Sequence, residues 1–392
     1  MEPLIYIDNA ATSYPKPEQV YTFMDQFYRR AGVNPGRSGY DLCIEAGQLV
    51  EDTRRQLAAF FGGRDPHRLV FGYNSTDALN LSLFGLLGPG DHAITTTLEH
   101  NSVLRPLWHL ARDHGVEVDR VPFDSKGFVD PDAIRASLRD NTRVVAVNHA
   151  SNVIGTVQPI EEIGRICAER GVHLVVDASQ TAGKIPIDVE RMQVDVLVFT
   201  GHKSLFGPMG IGGMYVRDGV EIRHTRAGGT GVRSAVPGHL EEYPYRMEYG
   251  TGNLLGIAGL HAGVAWLTAR GMSTVHAHEL ALTRRLRDGL RAIETVTLYC
   301  QDDLADHIGV LVFNVAGLEA ADVGTMLDVD YNIACRTGLH CAPLVHDQLG
   351  TAALHGAVRF AVGPFNTNEQ IDKAIGAVQE IASARIPAAA HR

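Results

Sequence analysis

The sequence predicts an α/β fold in two parts: a mostly parallel seven-stranded sheet sandwiched by helices, followed by a smaller α+β C-terminal unit. Three observations predict it. Between residues 69 and 216, apolar runs rich in β-branched residues alternate with segments of helical period, as in βαβ units whose strands are covered on both faces. After residue 254 the order changes to two long helical segments, then strands, then helices. The chain has 392 residues, beyond the roughly 250–300 at which a single core stops growing. The large unit is expected over residues 16–255, and the small one over 1–15 together with 256–392.

In chain order, strands are expected at Leu69–Phe71, Ala93–Thr96, Val116–Val121, Val144–Asn148, His173–Val176, Val194–Phe199 and Gly213–Val216. Helices fall between them at Thr76–Leu87, Val103–His114, Pro131–Leu138 and Glu161–Arg170. From Ala227 to Thr251 the pattern breaks into Gly, Pro, Tyr and charged residues, a long excursion of the kind usually found at a functional site or an interface. Helices resume at Leu254–Ala269 and Ser273–Ile293, strands at Thr297–Tyr299 and Gly309–Val315, and helices at Ala320–Leu327 and Asn368–Ala384. The alanine-rich tail after Ile386 is expected to fray.

Composition excludes several classes of function. Hydrophobic residues are 45% and charged residues 20% of the chain, the balance of an ordinary globular protein. A net charge of -10 with no basic block argues against a nucleic-acid partner. The opening Met1-Glu2-Pro3-Leu4-Ile5-Tyr6 lacks a signal-peptide pattern, and no apolar run is long enough to span a bilayer, so a cytoplasmic protein without membrane attachment is expected. Cys43, Cys167, Cys300, Cys335 and Cys341 are too scattered for a disulfide framework and read as thiols. Neither CxxC pairs nor HExxH spacing point to a metal.

The residues that carry chemistry sit at strand ends. In an open α/β sheet the crevice beyond the carboxyl ends of the strands binds ligands. Lys203, in Thr200-Gly201-His202-Lys203 after the apolar run Val194–Phe199, is therefore a candidate Schiff-base lysine; the alternative is a surface loop lysine. Lysines number only five, and glycines flank this one on both sides, which favours the crevice. Asp177 ends the run His173-Leu174-Val175-Val176, where a carboxylate can hold a protonated pyridine nitrogen or simply cap a turn. Ser75 and Thr76 open a helix after the first strand and form either an anion site for a cofactor phosphate or an ordinary helix start. His100, in Leu98-Glu99-His100-Asn101-Ser102, could stack on a flat ring or be structural.

Two further candidates lie in the C-terminal unit. Cys341 belongs to the loop Arg336-Thr337-Gly338-Leu339-His340-Cys341, where positive neighbours suit a nucleophilic thiol; Cys335 is expected to be the more buried. Arg359, a charge within the apolar Ala357-Val358-Arg359-Phe360-Ala361, needs a carboxylate, either the substrate's or that of a structural ion pair.

With these residues the chain resembles the class V aminotransferases among the fold-type I pyridoxal phosphate (PLP) enzymes, and within them the cysteine desulfurases and selenocysteine lyases. The resemblance runs from Tyr6-Ile7-Asp8-Asn9-Ala10-Ala11-Thr12 to Phe365-Asn366-Thr367, and is carried most specifically by TGHK at Lys203, DASQ at Asp177, SNVIGT at Asn152 and RTGLHCAPL at Cys341. It implies the fold-type I architecture, with Lys203 bound covalently to PLP, Asp177 on the pyridine nitrogen, Gln180 near the ring hydroxyl and His100 stacked on the ring. It further implies Ser75, Thr76, Thr200 and His202 at the phosphate, Thr251 reaching in from the partner of a homodimer, Asn152 and Arg359 at the substrate carboxylate, and Cys341 as sulfur acceptor. The activity implied is conversion of L-cysteine to L-alanine with a persulfide on Cys341. Such sulfur mobilisation serves iron–sulfur cluster assembly, and the short loop at Cys341 resembles desulfurases that hand sulfur to an acceptor protein. Selenocysteine lyase, β-elimination and transamination are the alternative activities. One departure stands out: many relatives place a histidine near Tyr40.

Overall fold

The computed structural model describes residues 3–36, 38–300 and 302–384, so the tail after Ile386 lies outside the described residues. In chain order the first part contains β1 (Ile5–Tyr6), α1 (Glu18–Ala31), α2 (Asp41–Phe60), β2 (Leu69–Gly72), α3 (Ser75–Leu86), β3 (His92–Thr96) and α4 (Asn101–His114). It continues with β4 (Glu117–Val121), α5 (Pro131–Ala136), β5 (Thr142–Asn148), α6 (Ile160–Arg170), β6 (His173–Asp177), β7 (Val196–Thr200) and β8 (Gly212–Val216). The remainder is α7 (Leu254–Arg270), α8 (Met272–Arg291), β9 (Val296–Leu298), β10 (Val310–Val315), α9 (Ala320–Tyr331), β11 (Ile333–Ala334), β12 (Arg336–Gly338), α10 (Pro343–Leu349), β13 (Ala357–Ala361) and α11 (Asn368–Ser383). Among the described residues, no helix is long and apolar enough to cross a membrane.

The seven-stranded sheet has the order β2-β8-β7-β6-β5-β3-β4. All neighbours run parallel except β8, which is antiparallel to both β7 and β2. The middles of its central strands are apolar on both faces because successive side chains feed two different cores. Leu174, Val176, Leu197 and Phe199 join Leu57, Phe61 and Ile163 on one face. Val175, Val196 and Val198 join Leu79, Leu83, Val103 and Leu107 of α3 and α4 on the other. At the edge, β4 is largely exposed and Arg139 pairs with its Glu117 and Asp119, charges that discourage pairing with another chain.

A second sheet of order β12-β13-β10-β9 supports a separate apolar cluster, in which Phe313 and Phe360 meet Leu286, Val323 and Val378. Ile5 and Ile7 belong to this same cluster, and β1 pairs in parallel with β11. The N-terminal strand thus packs with the C-terminal part of the chain.

Three helices escaped the sequence expectations. α1 and α2 carry no side-chain N-cap, so the usual start signal is missing; they are held by tertiary packing of Phe27, Ala31, Ala46 and Leu49 against Leu254 and Ala258. α10 begins at Pro343, where a fixed φ favours the first helical turn. Residues 227–251 contain neither helix nor strand, as the excursion predicts.

Candidate active site

The carboxyl ends of β5, β6 and β7 open on a cavity of about 340 Å³. Asn148, Asp177 and Thr200 are the last residues of those strands, and all three line it. Lys203 follows in the turn beyond β7, closed by bonds from Phe206 N to Lys203 O at 2.9 Å and from Gly207 N to Gly201 O at 2.8 Å. Gly201 is required in that turn: a Cβ would stand 2.8 Å from Ile211 Cγ2 and 3.0 Å from its carbonyl oxygen.

The Lys203 amine faces the cavity. Burial pushes its pKa down to about 8, Asp177 opposes the shift, and Arg359 and Arg336 add to it. A substantial neutral fraction near neutral pH follows, as a nucleophilic or basic amine requires. One Asp177 oxygen accepts from both the amide and the hydroxyl of Ser179, which orients the carboxylate.

At another wall, α3 presents its N-terminus. Asn74 caps the helix by accepting from Asp77 N at 2.9 Å, while Ser75 and Thr76 line the cavity. Gly212 lets β8 pass close beneath, since a Cβ there would sit 2.9 Å from Asn74 Cα. Thr200 Oγ1 and His202 Nδ1 are buried without a hydrogen-bond partner among the described residues. Two unsatisfied polar atoms beside a helix N-terminus fit a phosphate.

His100 is the N-cap of α4; its Nδ1 accepts from Ser102 N at 3.0 Å and lies 2.9 Å from Ser102 Oγ. Burial, reinforced by Lys203, pushes its pKa down to about 4, so the ring is neutral with its proton on Nε2. Ser102 Oγ is also 2.7 Å from Thr76 Oγ1, joining this histidine to the start of α3.

The sequence matches the family described as Aminotransferase class-V over residues 5–374. This chain belongs to the class V aminotransferase family. Members are PLP-dependent in general. A protein named probable cysteine desulfurase from Halobacterium salinarum is 36% identical over 387 residues, 97% of this chain and 92% of that protein. The apo structure of a cysteine desulfurase from Thermococcus onnurineus superposes with a TM-score of 0.90 at 34% identity, covering 97% of this chain and 95% of that one. An S-sulfonic acid form of a cysteine desulfurase from Escherichia coli gives 0.87 at 27% identity, with 97% and 95% covered. As a family member the chain has the fold-type I architecture.

The class V site continues into the C-terminal part of the chain. Arg359 is fully buried in β13, pairs with Asp8 and donates to Asn152 O at 3.0 Å, yet its Nε has no partner among the described residues. The ion pair and the cavity placement therefore coexist; they are not alternatives. Asn152 donates to His340 O at 2.8 Å and leaves its own Oδ1 unsatisfied. Gln180 lines the cavity and is anchored to Ala10 O at 3.0 Å.

Three of the expected residues need comment. Cys341 is not on the cavity wall; it stands behind Arg336, which lines the cavity and donates from Nη2 to Cys341 Sγ at 3.1 Å. Thr251 lines a different cavity of about 480 Å³, shared with Arg54, Tyr249 and Asn253, so this chain does not bring it to its own Lys203. Tyr40 is exposed and belongs to neither wall. Cys335 and Cys341, of which the former was expected to be the more buried, are both half-buried; burial pushes the Cys335 thiol up to about 12.

Sequence reasoning missed Ser102 and Asn148 on the wall and treated Arg336 only as a positive neighbour of the thiols. The serine and asparagine had a weak signal, each standing at a strand-to-helix transition, but their contacts depend on which strands are adjacent. Glu99 was missed as well: fully buried, it accepts from Thr96 Oγ1 at 2.7 Å and Asn148 N at 3.1 Å, and burial pushes its pKa up to about 8.

Proposed function

We propose that the protein is a PLP-dependent cysteine desulfurase that converts L-cysteine to L-alanine and holds the released sulfur as a persulfide on Cys341. The observation that carries this reading is that Lys203 and Asp177 share a single cavity whose wall includes Arg336, the side chain in contact with the Cys341 sulfur. The cofactor, when bound, supplies an electron sink for charge developed at the substrate Cα. Asp177 would hold the pyridine nitrogen protonated, His100 would lie against the ring, Gln180 would meet its hydroxyl, and Ser75, Thr76, Thr200 and His202 would bind the phosphate.

Arg359 and Asn152 would take the substrate carboxylate, their unsatisfied Nε and Oδ1 leaving capacity for it. Lys203, displaced by the substrate amine, would remove the Cα proton and later return one. Cys341 would attack the substrate sulfur: an S–S bond forms, the C–S bond breaks with its electron pair left on carbon, and protonation there gives alanine. Nothing is oxidised or reduced outside the pair of reactants, and a sulfur-acceptor protein would then relieve Cys341 of its persulfide.

The same proposal includes a cytoplasmic homodimer, whose partner would bring its Thr251 to the phosphate and use the 227–251 excursion at the contact. It also includes the division into residues 16–255 and 1–15 with 256–392. Two separate apolar clusters support the division, although Ile257, Leu260 and Val264 of α7 pack with the large one.

Because Cys341 stands off the cavity wall, a selenocysteine lyase is the second reading: selenium leaves carbon more readily and has less need of the thiol. Product analysis with each substrate decides. Alanine from cysteine, a persulfide on the Cys341 peptide and loss of both in Cys341→Ala are expected, with cofactor absorbance retained. Undiminished cysteine desulfuration by Cys341→Ala would remove the nucleophile assignment, and pyruvate as product would replace desulfuration by β-elimination.

A further inference from the structure

The segment that carries Cys341 is bent twice in succession. His340 and Cys341 have φ of +50° and +59°, a left-handed conformation that residues with a Cβ adopt only where the surroundings enforce it. Two backbone contacts do part of this, from Asn152 Nδ2 to His340 O at 2.8 Å and from Asn101 N to Cys341 O at 2.7 Å. A third, from Ala342 N to Leu339 O at 2.9 Å, closes the turn across both residues, and a pair of buried imidazoles adds a further tie.

His340 and His346 are 2% and 0% exposed, with rings stacked at 5.3 Å and 29°. His340 Nδ1 lies 3.2 Å from His346 Nε2, and His346 Nδ1 lies 2.8 Å from Thr351 Oγ1. His340 Nε2 faces Arg336 O at 3.4 Å. A carbonyl can only accept, so His340 must carry its proton on Nε2 and accept at Nδ1. His346 must then donate from Nε2 and accept at Nδ1, where the Thr351 hydroxyl supplies the proton. With the single Thr351 proton given to His346 Nδ1 at 2.8 Å in preference to His346 O at 3.4 Å, one direction runs through the ring contacts: Thr351 to His346 to His340 to the Arg336 carbonyl. Burial lowers the pKa of both histidines, to about 4 for His346, in keeping with two neutral rings.

We propose that His346 is a positioning residue for Cys341, acting through His340 in a one-way hydrogen-bond relay that ends on the backbone of Arg336. The relay ties both ends of the bend together: Arg336, whose guanidinium meets the Cys341 sulfur, and His340, which immediately precedes it. Its importance for catalysis rests on the reading of Cys341 as sulfur acceptor; its effect on the thiol does not.

Three variants of the full chain separate the contacts. His346→Leu removes both. His346→Asn keeps a polar group near the Nδ1 position but is too short to reach His340, whereas His346→Gln can place an N–H near Nε2. The first readout is iodoacetamide alkylation of Cys341, followed on its peptide by mass spectrometry with neither cofactor nor substrate added. Alkylation is expected to slow several-fold in the Leu and Asn variants, as Arg336 and the sulfur part, and to return towards the wild-type rate in Gln. The second is the single-turnover rate of persulfide formation with PLP and cysteine, expected to fall about 10- to 100-fold in Asn with little change in KM, as for a nucleophile displaced by about 1 Å. Equal alkylation rates in wild type, Asn and Gln would overturn the relay, and the Asn–Gln contrast decides it even if the Leu variant does not fold. Should wild type form no persulfide, the desulfurase reading fails while the alkylation contrast still stands or falls alone.

Discussion

The strand-end wall and the Cys341 loop are opposite kinds of structure. Asp177 and Thr200 terminate buried strands and Lys203 stands in the turn just beyond one of them, so their backbones are held by the sheet ladder and by two apolar clusters. Cys341 sits in a half-buried bend of two left-handed residues, each costing of order 1–3 kcal/mol, held by discrete polar contacts. The difference teaches a division of labour under the proposed reading: Lys203 and Asp177, which would serve the cofactor, stand on or just beyond the sheet, while Cys341, which would take the sulfur, stands on a loop fixed by discrete polar contacts.

The largest expected effect tests the rigid side. Lys203→Ala should lower turnover roughly a thousandfold or more with cysteine and selenocysteine alike, and should abolish the visible absorbance of the lysine-bound cofactor. The contrast with Cys341→Ala is the point: a Lys203→Ala protein that still turned over selenocysteine at the wild-type rate would erase the distinction between the two regions.

A smaller effect sharpens what the wall is built for. Thr200 Oγ1 is buried without a partner among the described residues, so Thr200→Val should raise the melting temperature of the cofactor-free protein, because an orphaned hydroxyl is removed. The same variant should bind PLP more weakly by about 1.5–3 kcal/mol, the range for a hydrogen bond to a charged group. Differential scanning fluorimetry and cofactor titration measure the two; a fall in both would mean that the hydroxyl serves the fold rather than the phosphate.

The last test concerns the buried carboxyl behind the wall. Glu99 ionises near its ordinary 4.5 when unfolded but stays protonated in the fold until about 8. Between these values the folded state holds the extra proton, so stability should decline as pH rises from about 5 to 8 and level off beyond. Glu99→Gln should flatten that decline relative to wild type, as read by denaturant midpoints across the range. Parallel profiles for the two proteins would show that Glu99 does not titrate in this window.

Much of the site was legible because each main residue interrupts a strong local pattern. Asp177 and Lys203 follow apolar runs, and Arg359 breaks one; a charge at such a place needs a partner whatever the fold around it. Arg336 was not legible in this way. It lies in a polar loop, and its role beside Cys341 depends on the pairing of β12 with β13, which sets Arg336 opposite Arg359. The helices α1 and α2 were illegible for a related reason, since they lack side-chain caps and rely on α7 for their packing.

From residue order alone came the alternation of strand and helix, the covered parallel sheet and the candidacy of Lys203, Asp177 and Arg359, charges set within or just after apolar runs. These follow from periodicity and from the cost of burying charge, which act over a few residues, whereas the roles expected of His100 and Cys341 came with the resemblance to class V aminotransferases. Only the tertiary structure decided that, among the described residues, Thr200, His202 and Asn152 keep unsatisfied atoms at the site, that Thr251 faces another cavity, and that the buried rings of His340 and His346 meet. Those are contacts between segments distant in sequence or bends imposed by packing, and no local pattern encodes which polar atoms remain free once the chain has closed on itself.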